Sequence, residues 1–466
     1  MNPIRHDLND ELRRQLLAYG HRYDFQTGLL NYQTFRKTLA ARLKNGPAGQ
    51  ELALIWIDLL NLRKEFALRG WIGSEKLVRH VAEKLSSAVD ECALLGRFSG
   101  RCFLVALPAA KLDKADRRRI QAVVDALVPL RVLGAEIKPE VAAGVAYYPG
   151  DTESADDLVR FASLAATRAG YVKSRAVMAF NEGMNSMIMH DHLLEVEMNK
   201  GLDEGQFCAF YQPKIDLATG EVVGAEALIR WNHPEWGFVP PDEFIPIAER
   251  ADLIHRIFYF ILRAALNEVQ HLQSLGFALP NISVNASAAN VRRSDFTRSV
   301  RAVLAEIPIA PAELELEVTE SLLLDDVKLF RARVRQLKAA GIKIAVDDFG
   351  TRYTGFNALK QLPMNTMKID RCFIHGIDCS KDMRALCQTI VAMARQLKLR
   401  TVAEGIEGQG ELEVLRQIGC DAGQGYLFQR PVAAEAFVAF LREWPEQRRA
   451  LGFWASQDIE PFCGIA

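Results

Sequence analysis

The stretch with the clearest chemical content is Ile342–Gly350, IKIAVDDFG. A β-branched apolar run, Ile342 to Val346, stops at two adjacent carboxylates, Asp347 and Asp348, which places the acids at the mouth of a sheet and not inside it. Other apolar runs in the C-terminal half stop on one polar residue each: Glu226, Asn285, Glu317, Lys368, Glu404 and Gln424. Hard divalent cations need several carboxylate or amide oxygens converging at about 2.0–2.6 Å. Glu226, Asn285, Glu317, Asp347 and Asp348 would supply such oxygens from four successive strands. Two ions about 3.5–4 Å apart can share a carboxylate and clamp a phosphodiester while a bridging water attacks. Lys368 suits a developing negative charge or an activated water. Glu404 can take or orient the water's proton, and Arg230 can meet a phosphate through two parallel hydrogen bonds. One acid at a strand end is most simply a solvated tip or a helix cap. Acids together with an Asn, a Lys and a Gln at matching ends outweigh that reading.

The elements that must position these residues show a strand–helix rhythm over 206–445. The expected strands are FCAFYQP, VVGAEALIRW, ISVNAS, LELEVTE, IKIAVDDF, TMKID, RTVAEG and CDAGQGYLF. Between them, stretches such as IFYFILRAALNEVQHLQSLG and DVKLFRARVRQLKAAG are amphipathic and end in glycine, as helix C-termini do. Eight such strands in this length argue for a (β/α)8 barrel of the TIM type, in which chemistry sits at the C-terminal ends of the strands.

The first half alternates strand and helix signals over 23–181. ELALIWIDL (51–59) is a central buried strand, ALLGRF (93–98) and RCFLVAL (101–107) form a hairpin through Ser99–Gly100, and AAGVAYYP (142–149) is another strand. Residues 112–128 and 154–170 are amphipathic helices, the second opening at Ser154 with Asp156 and Asp157 in its first turn. Helices and hairpins on one sheet give an α/β sandwich. Residues 1–22 carry Ile4, Leu8, Leu12, Leu16 and Tyr19 on one helical stripe. Residues 182–200 connect the halves through a helix, where His190 and His192 flank Asp191 as ordinary solvated positions. Residues 446–466, with Phe453 and Trp454, lie beyond the barrel. The first helix and this tail pack on their own domains or, alternatively, meet a protein partner.

The bulk numbers set limits. At 466 residues with 49% apolar and 25% charged content, the chain can build real cores. A net charge of −1 gives no electrostatic case for long nucleic acid or an acidic membrane. Its eight cysteines form no C-x-x-C pair, so reduced thiols are expected. There is no signal-peptide core and no run of about 18 apolar residues, so a cytoplasmic protein without a membrane span is expected.

The motifs over 190–445 resemble the EAL domain, a phosphodiesterase of cyclic di-GMP. Glu226-Ala227-Leu228 with Arg230 is the naming motif, after Tyr211-Gln212-Pro213 and before His233-Pro234. Asn285 stands in SVNAS, Glu317 and Glu320 in EVTE, Asp347 and Asp348 in DDFG, Lys368 and Asp370 in KID, Glu404 in AEG and Gln424 in QGY. The resemblance implies metal ligation by Glu226, Asn285, Glu317, Asp347 and Asp348, with Mg²⁺ or Mn²⁺ in a two-metal site. It implies catalytic roles for Lys368, Glu404 and Glu226, and substrate contacts from Arg230, Gln212, Gln424 and Asp370. Glu320 would anchor the loop after the paired acids, and the chain would form a homodimer. Cyclic di-GMP would be opened to linear pGpG. Arg352 and Gly355 depart from the family's DFGTGYSS loop, which keeps a second reading open: a non-catalytic cyclic di-GMP receptor that signals through protein partners.

Residues 23–181 resemble the GGDEF domain, the diguanylate cyclase fold, through Asp24-Phe25-Gln26-Thr27-Gly28-Leu29-Leu30-Asn31. At the signature hairpin the sequence is Ser99-Gly100-Arg101-Cys102-Phe103, so Arg101 and Cys102 replace the family's central acids. Asp58 keeps one metal-binding position. Phe66, Ser74 and Gly170 stand where guanine and phosphate contacts belong, and Asp90 and Ala93 where the inhibitory R-x-x-D belongs. The resemblance implies a catalytically inactive regulatory domain.

Overall fold

The computed structural model describes residues 21–47, 49–60, 62–111, 113–132, 135–137, 139–172, 177–319, 327–350 and 364–453. The expectations for the helix over 1–22, for Glu320, for the altered loop 351–355 and for Trp454 fall almost wholly or entirely outside these residues. The chain divides into two compact units, Met1–His192 and Leu193–Ala466, and the division falls inside the helix Gly183–Glu204.

In the first unit a six-stranded sheet runs in the order Leu30–Asn31, Leu94–Ser99, Cys102–Pro108, Leu52–Leu59, Val141–Tyr148, Val177–Ala179. The central pairings are antiparallel and the two outermost are parallel. Strand alternation divides the core into two layers. Ala53, Ile55, Phe103 and Val105 face one layer with Val81, Leu85 and Val124. Leu52, Leu54, Leu104 and Ala106 face the other with Phe35, Leu39, Leu158 and Ala162. The sandwich expected from the sequence is therefore present, with helices Lys114–Asp125 and Ala155–Val172 close to their expected bounds. Ser154 accepts from the Asp157 amide at 3.3 Å, as an N-cap does. Gly144 has no space for a side chain: a Cβ there would lie 2.0 Å from the Ala166 nitrogen, so its absence lets helix and strand touch.

The second unit is an eight-stranded closed barrel. Its strands in chain order are Phe207–Asp216, Val222–His233, Ile282–Asn285, Leu314–Thr319, Lys343–Phe349, Thr366–Ile369, Arg400–Ala403 and Ala422–Gly423. The first strand pairs with both the second and the eighth, which closes the ring. Strands two to eight are mutually parallel, but the first runs antiparallel to both neighbours. This departs from a uniform (β/α)8 ring. Only Leu217–Glu221 separate the first two strands, enough for a hairpin but too few for a parallel crossover. The helices outside bury one apolar stripe each, including Phe258, Leu262, Leu266 and Val269 of Ile254–Ser274. The last helix, Ala434–Ala450, runs through the boundary expected at 445, and Phe453 beyond it packs with Arg416 stacked on its ring at 3.8 Å. Cys92, Cys102, Cys208, Cys372, Cys379, Cys387 and Cys420 are all free thiols. No helix among the described residues is long and apolar enough to cross a membrane.

Candidate active site

The register of the barrel sets the site. Glu226 lies opposite Ser283 on the third strand and Gln212 on the first, Asn285 lies opposite Glu317, and Thr319 lies opposite Asp347. Because Cβ direction alternates along a strand, residues two apart point to the same side. Glu226, Glu317, Asp347 and Lys368 therefore all enter the barrel mouth.

They meet on the Lys368 ammonium, which is 1% exposed. Its Nζ lies 2.6 Å from Glu404 Oε1, 3.2 Å from Asp347 Oδ1 and 3.4 Å from Glu226 Oε2, and it donates a short hydrogen bond to Glu317 Oε2. Asn285 joins by donating from Nδ2 to Glu226 Oε1 at 2.6 Å. Gln424 donates to Glu226 Oε2 and to Gln212 Oε1, each at 2.8 Å, and Gln212 donates to the Gln429 carbonyl at 2.9 Å. Gln212 and Gln424 thus brace Glu226 within the wall. Asp370 caps the short turn Arg371–Phe373, accepting from the Cys372 amide at 2.9 Å.

Two adjacent residues in a regular strand face opposite ways, so Asp347 and Asp348 could not both serve one site. The strand Lys343–Phe349 avoids this with a bulge. Its register against the sixth strand shifts between Val346 and Phe349, and Asp348 adopts φ 55°. A left-handed conformation outside glycine is uncommon, Asp among the residues that tolerate it, and it collects at functional sites. As a result Asp347, Asp348 and Glu404 each offer an oxygen within 4.8 Å of the others.

Burial and charge set the protonation. Burial pushes Glu317 up, but Lys214 and Lys368 on either side more than offset it, and its carboxyl falls to about 2. Burial raises Glu404 to about 8, with Lys368 opposing and Asp347 and Glu226 assisting. Burial also lifts Asp347 and Glu226 above the usual carboxylate range. Burial works against the Lys368 charge, yet the carboxylates of Asp347, Glu226, Glu317 and Glu404 hold it well above the ordinary lysine value.

A cavity of about 600 Å³ opens beside the acids. Its lining includes Asn285, Glu317, Asp347 and Asp348 together with Arg230 and apolar groups such as Phe258. The Arg230 guanidinium lies 5.5 Å above the Phe210 ring.

Beneath the acids lies a buried polar layer that the expected strands, taken as apolar runs, do not announce. Lys214, Ser283, Glu315 and Thr366 are all buried, and each sits two residues from a site residue on its own strand. Polar residues repeating at period two in runs read as apolar were the available signal.

A model of the EAL domain matches residues 195–431, and one of the diguanylate cyclase GGDEF domain matches residues 21–174. Among curated proteins, the cyclic di-GMP phosphodiesterase NbdA of Pseudomonas aeruginosa is 32% identical over 91% of this chain and 54% of its own length. MucR of the same organism, a bifunctional diguanylate cyclase/cyclic di-GMP phosphodiesterase, is 32% identical over 84% of this chain and 57% of its own length. The chain thus spans little more than half of these relatives. A solved structure described as PaMucR phosphodiesterase in complex with c-di-GMP superposes with a TM-score of 0.51 at 38% identity, covering 53% of this chain and 99% of that one. The S helix-GGDEF-EAL structure of Vibrio cholerae LapD, at 15% identity and a TM-score of 0.53, covers 89% of this chain and 98% of its own, a likeness of fold. Matched over half its length, with the motif acids gathered at the mouth of its barrel, the chain belongs to the EAL domain family and carries a GGDEF domain ahead of that barrel.

Proposed function

We propose that the barrel is a metal-dependent phosphodiesterase that hydrolyses cyclic di-GMP to linear pGpG, with Mg²⁺ or Mn²⁺ as its cation. The carrying observation is the convergence of Glu226, Glu317, Asp347 and Glu404 on one buried ammonium, in a family whose relatives NbdA and MucR are named for this activity. The donor set fits such an ion: it is all oxygen, and three of the acids already lie within 4.8 Å of one another. Glu226, Asn285, Glu317, Asp347 and Asp348 would hold the metal, with Glu404 near enough to share in it. When bound, the metal polarises the phosphate and acidifies a water.

The chain's own groups do the rest. Lys368 is held firmly charged, so it acts as fixed positive charge toward the phosphorane and not as a base. Glu404, 2.6 Å from the Lys368 ammonium and with an oxygen within 4.8 Å of the paired acids, is the group to accept the water's proton. Arg230 faces the cavity and can pair with a phosphate oxygen. Water oxygen bonds to phosphorus, the bond from phosphorus to the ribose 3′ oxygen breaks, and that oxygen leaves with the proton that Glu404 took from the water. Gln212 and Gln424 keep Glu226 in place.

The GGDEF domain is read as inactive and regulatory. Asp58 is paired with the Arg101 guanidinium at 2.9 Å, so a fixed side-chain cation holds the one retained metal carboxylate.

The test is to incubate the full chain with cyclic di-GMP and Mg²⁺ or Mn²⁺, and separately with GTP, and to separate products by chromatography. Linear pGpG is expected, lost in Glu226→Ala, with nothing cyclic made from GTP. Tight cyclic di-GMP binding without product in either metal would establish the receptor reading instead.

A further inference from the structure

Below the ring of acids lies a second buried ion cluster that the reaction does not use. Lys214 projects from the reversed first strand and is 3% exposed. Its Nζ lies 2.5 Å from Ser283 Oγ, 2.7 Å from Glu317 Oε1 and 3.6 Å from Glu315 Oε2. Glu315 is itself fully engaged. It accepts from Thr366 Oγ1 at 2.6 Å on one oxygen, and from Ser283 Oγ at 3.1 Å and Asn281 Nδ2 at 3.0 Å on the other. Lys214 is therefore pinned by two carboxylates and a hydroxyl.

The two oxygens of Glu317 are thereby divided. Oε1 points down to Lys214, and Oε2 points up to Lys368 among Asp347, Glu226 and Glu404. A cation arriving from the mouth meets Oε2 alone. To chelate with both oxygens, Glu317 would have to turn Oε1 away from Lys214 and leave that buried ammonium with the neutral Ser283 hydroxyl and, as its one remaining carboxylate, Glu315 at 3.6 Å. Leaving a buried charge short of a partner is strongly unfavourable. Cations differ in what they ask of a carboxylate. Ca²⁺ takes six to eight oxygens and often binds a carboxylate through both, whereas Mg²⁺ demands near-octahedral geometry at shorter distance.

We propose that Lys214 is a positioning residue that restricts Glu317 to one-oxygen ligation and so biases the site toward small octahedral cations over Ca²⁺. This rests on the reading above only in taking Glu317 as a ligand. Its readout is direct metal binding without substrate.

The experiment is calorimetric titration of the full chain with Mn²⁺, Mg²⁺ and Ca²⁺ separately, for the wild type, Lys214→Arg, Lys214→Met and Lys214→Met/Glu315→Gln. The double variant removes one buried charge of each sign, so it remains informative if Lys214→Met does not fold. Circular dichroism in chelator verifies folding. In the folded methionine variants the Ca²⁺-to-Mn²⁺ ratio of dissociation constants should fall at least about tenfold, the lower end of what losing a ligand's supporting partner does to metal sites. Lys214→Arg should keep the wild-type ratio. A ratio within twofold of wild type, equal weakening of all ions, or failure of both methionine variants to fold would overturn the proposal. A wild-type chain that binds Mn²⁺ but leaves cyclic di-GMP intact would sink the phosphodiesterase reading and leave this one standing.

Discussion

At the scale of single residues, the two glutamates that flank Lys368 titrate in opposite senses. Glu317 is held at about 2, below its ordinary 4.5, so its contribution to stability is present above about pH 4.5 and is lost as pH falls toward 2. Glu404 is raised to about 8 from 4.5, so its contribution is present below about pH 4.5 and is lost as pH rises through 8. Urea denaturation of the barrel in chelator separates the two. Glu317→Gln should cost about 3–5 kcal/mol at pH 7, because it strips buried lysines of a partner, and the deficit should shrink below pH 4.5. Glu404→Gln should instead gain on the wild type steadily as pH rises from 4.5 to 8. Parallel pH profiles for the two variants would contradict this account of the charges.

At the scale of elements, the end of the fifth barrel strand carries the site. The bulge that turns both Asp347 and Asp348 inward is followed at once by Gly350 at φ 96°. A Cβ at Gly350 would stand 2.8 Å from the Phe373 ring, in the turn that Asp370 caps. Both the backbone conformation and the close approach require glycine here. Gly350→Ala should therefore lower the barrel's stability by about 1–3 kcal/mol and weaken Mn²⁺ binding together. Thermal melts and calorimetry check the pair, and unchanged values would mean the turn relaxes without disturbing the acids. The motif DDFG advertised the acids but not the bulge, because the pairing register of a strand depends on its neighbour and not on its own residues.

At the scale of the molecule, each of the two compact units is stabilised by its own buried apolar clusters, so a defect in one unit's clusters should leave the other's transition in place. The final helix packs on the turn that follows the reversed first strand. Trp444 Nε1 donates to the Gly220 carbonyl at 2.8 Å, and a Cβ at Gly220 would lie 2.5 Å from the Phe453 ring. Trp444→Ala removes a buried aromatic and that hydrogen bond, and should cost the barrel about 3–5 kcal/mol. Calorimetry should show the barrel transition moving down while that of residues 21–192 stays in place. A common shift of both would mean that the units unfold as one.

Element order, the two architectures and the identities of the acids were legible in the chain because each rests on local pattern: period two in strands, apolar stripes in helices, and polar residues where apolar runs stop. Glu226, Asn285, Glu317 and Asp347 could be singled out in this way. The reversed first strand, the bulge at Asp348 and the division of Glu317 between Lys214 and Lys368 were settled only by the fold. Each depends on which strands become neighbours and how far apart their side chains then stand. Lys214 and Glu317 are 103 residues apart in sequence and 2.7 Å apart in space. No local periodicity encodes that distance, because closure of the barrel creates it.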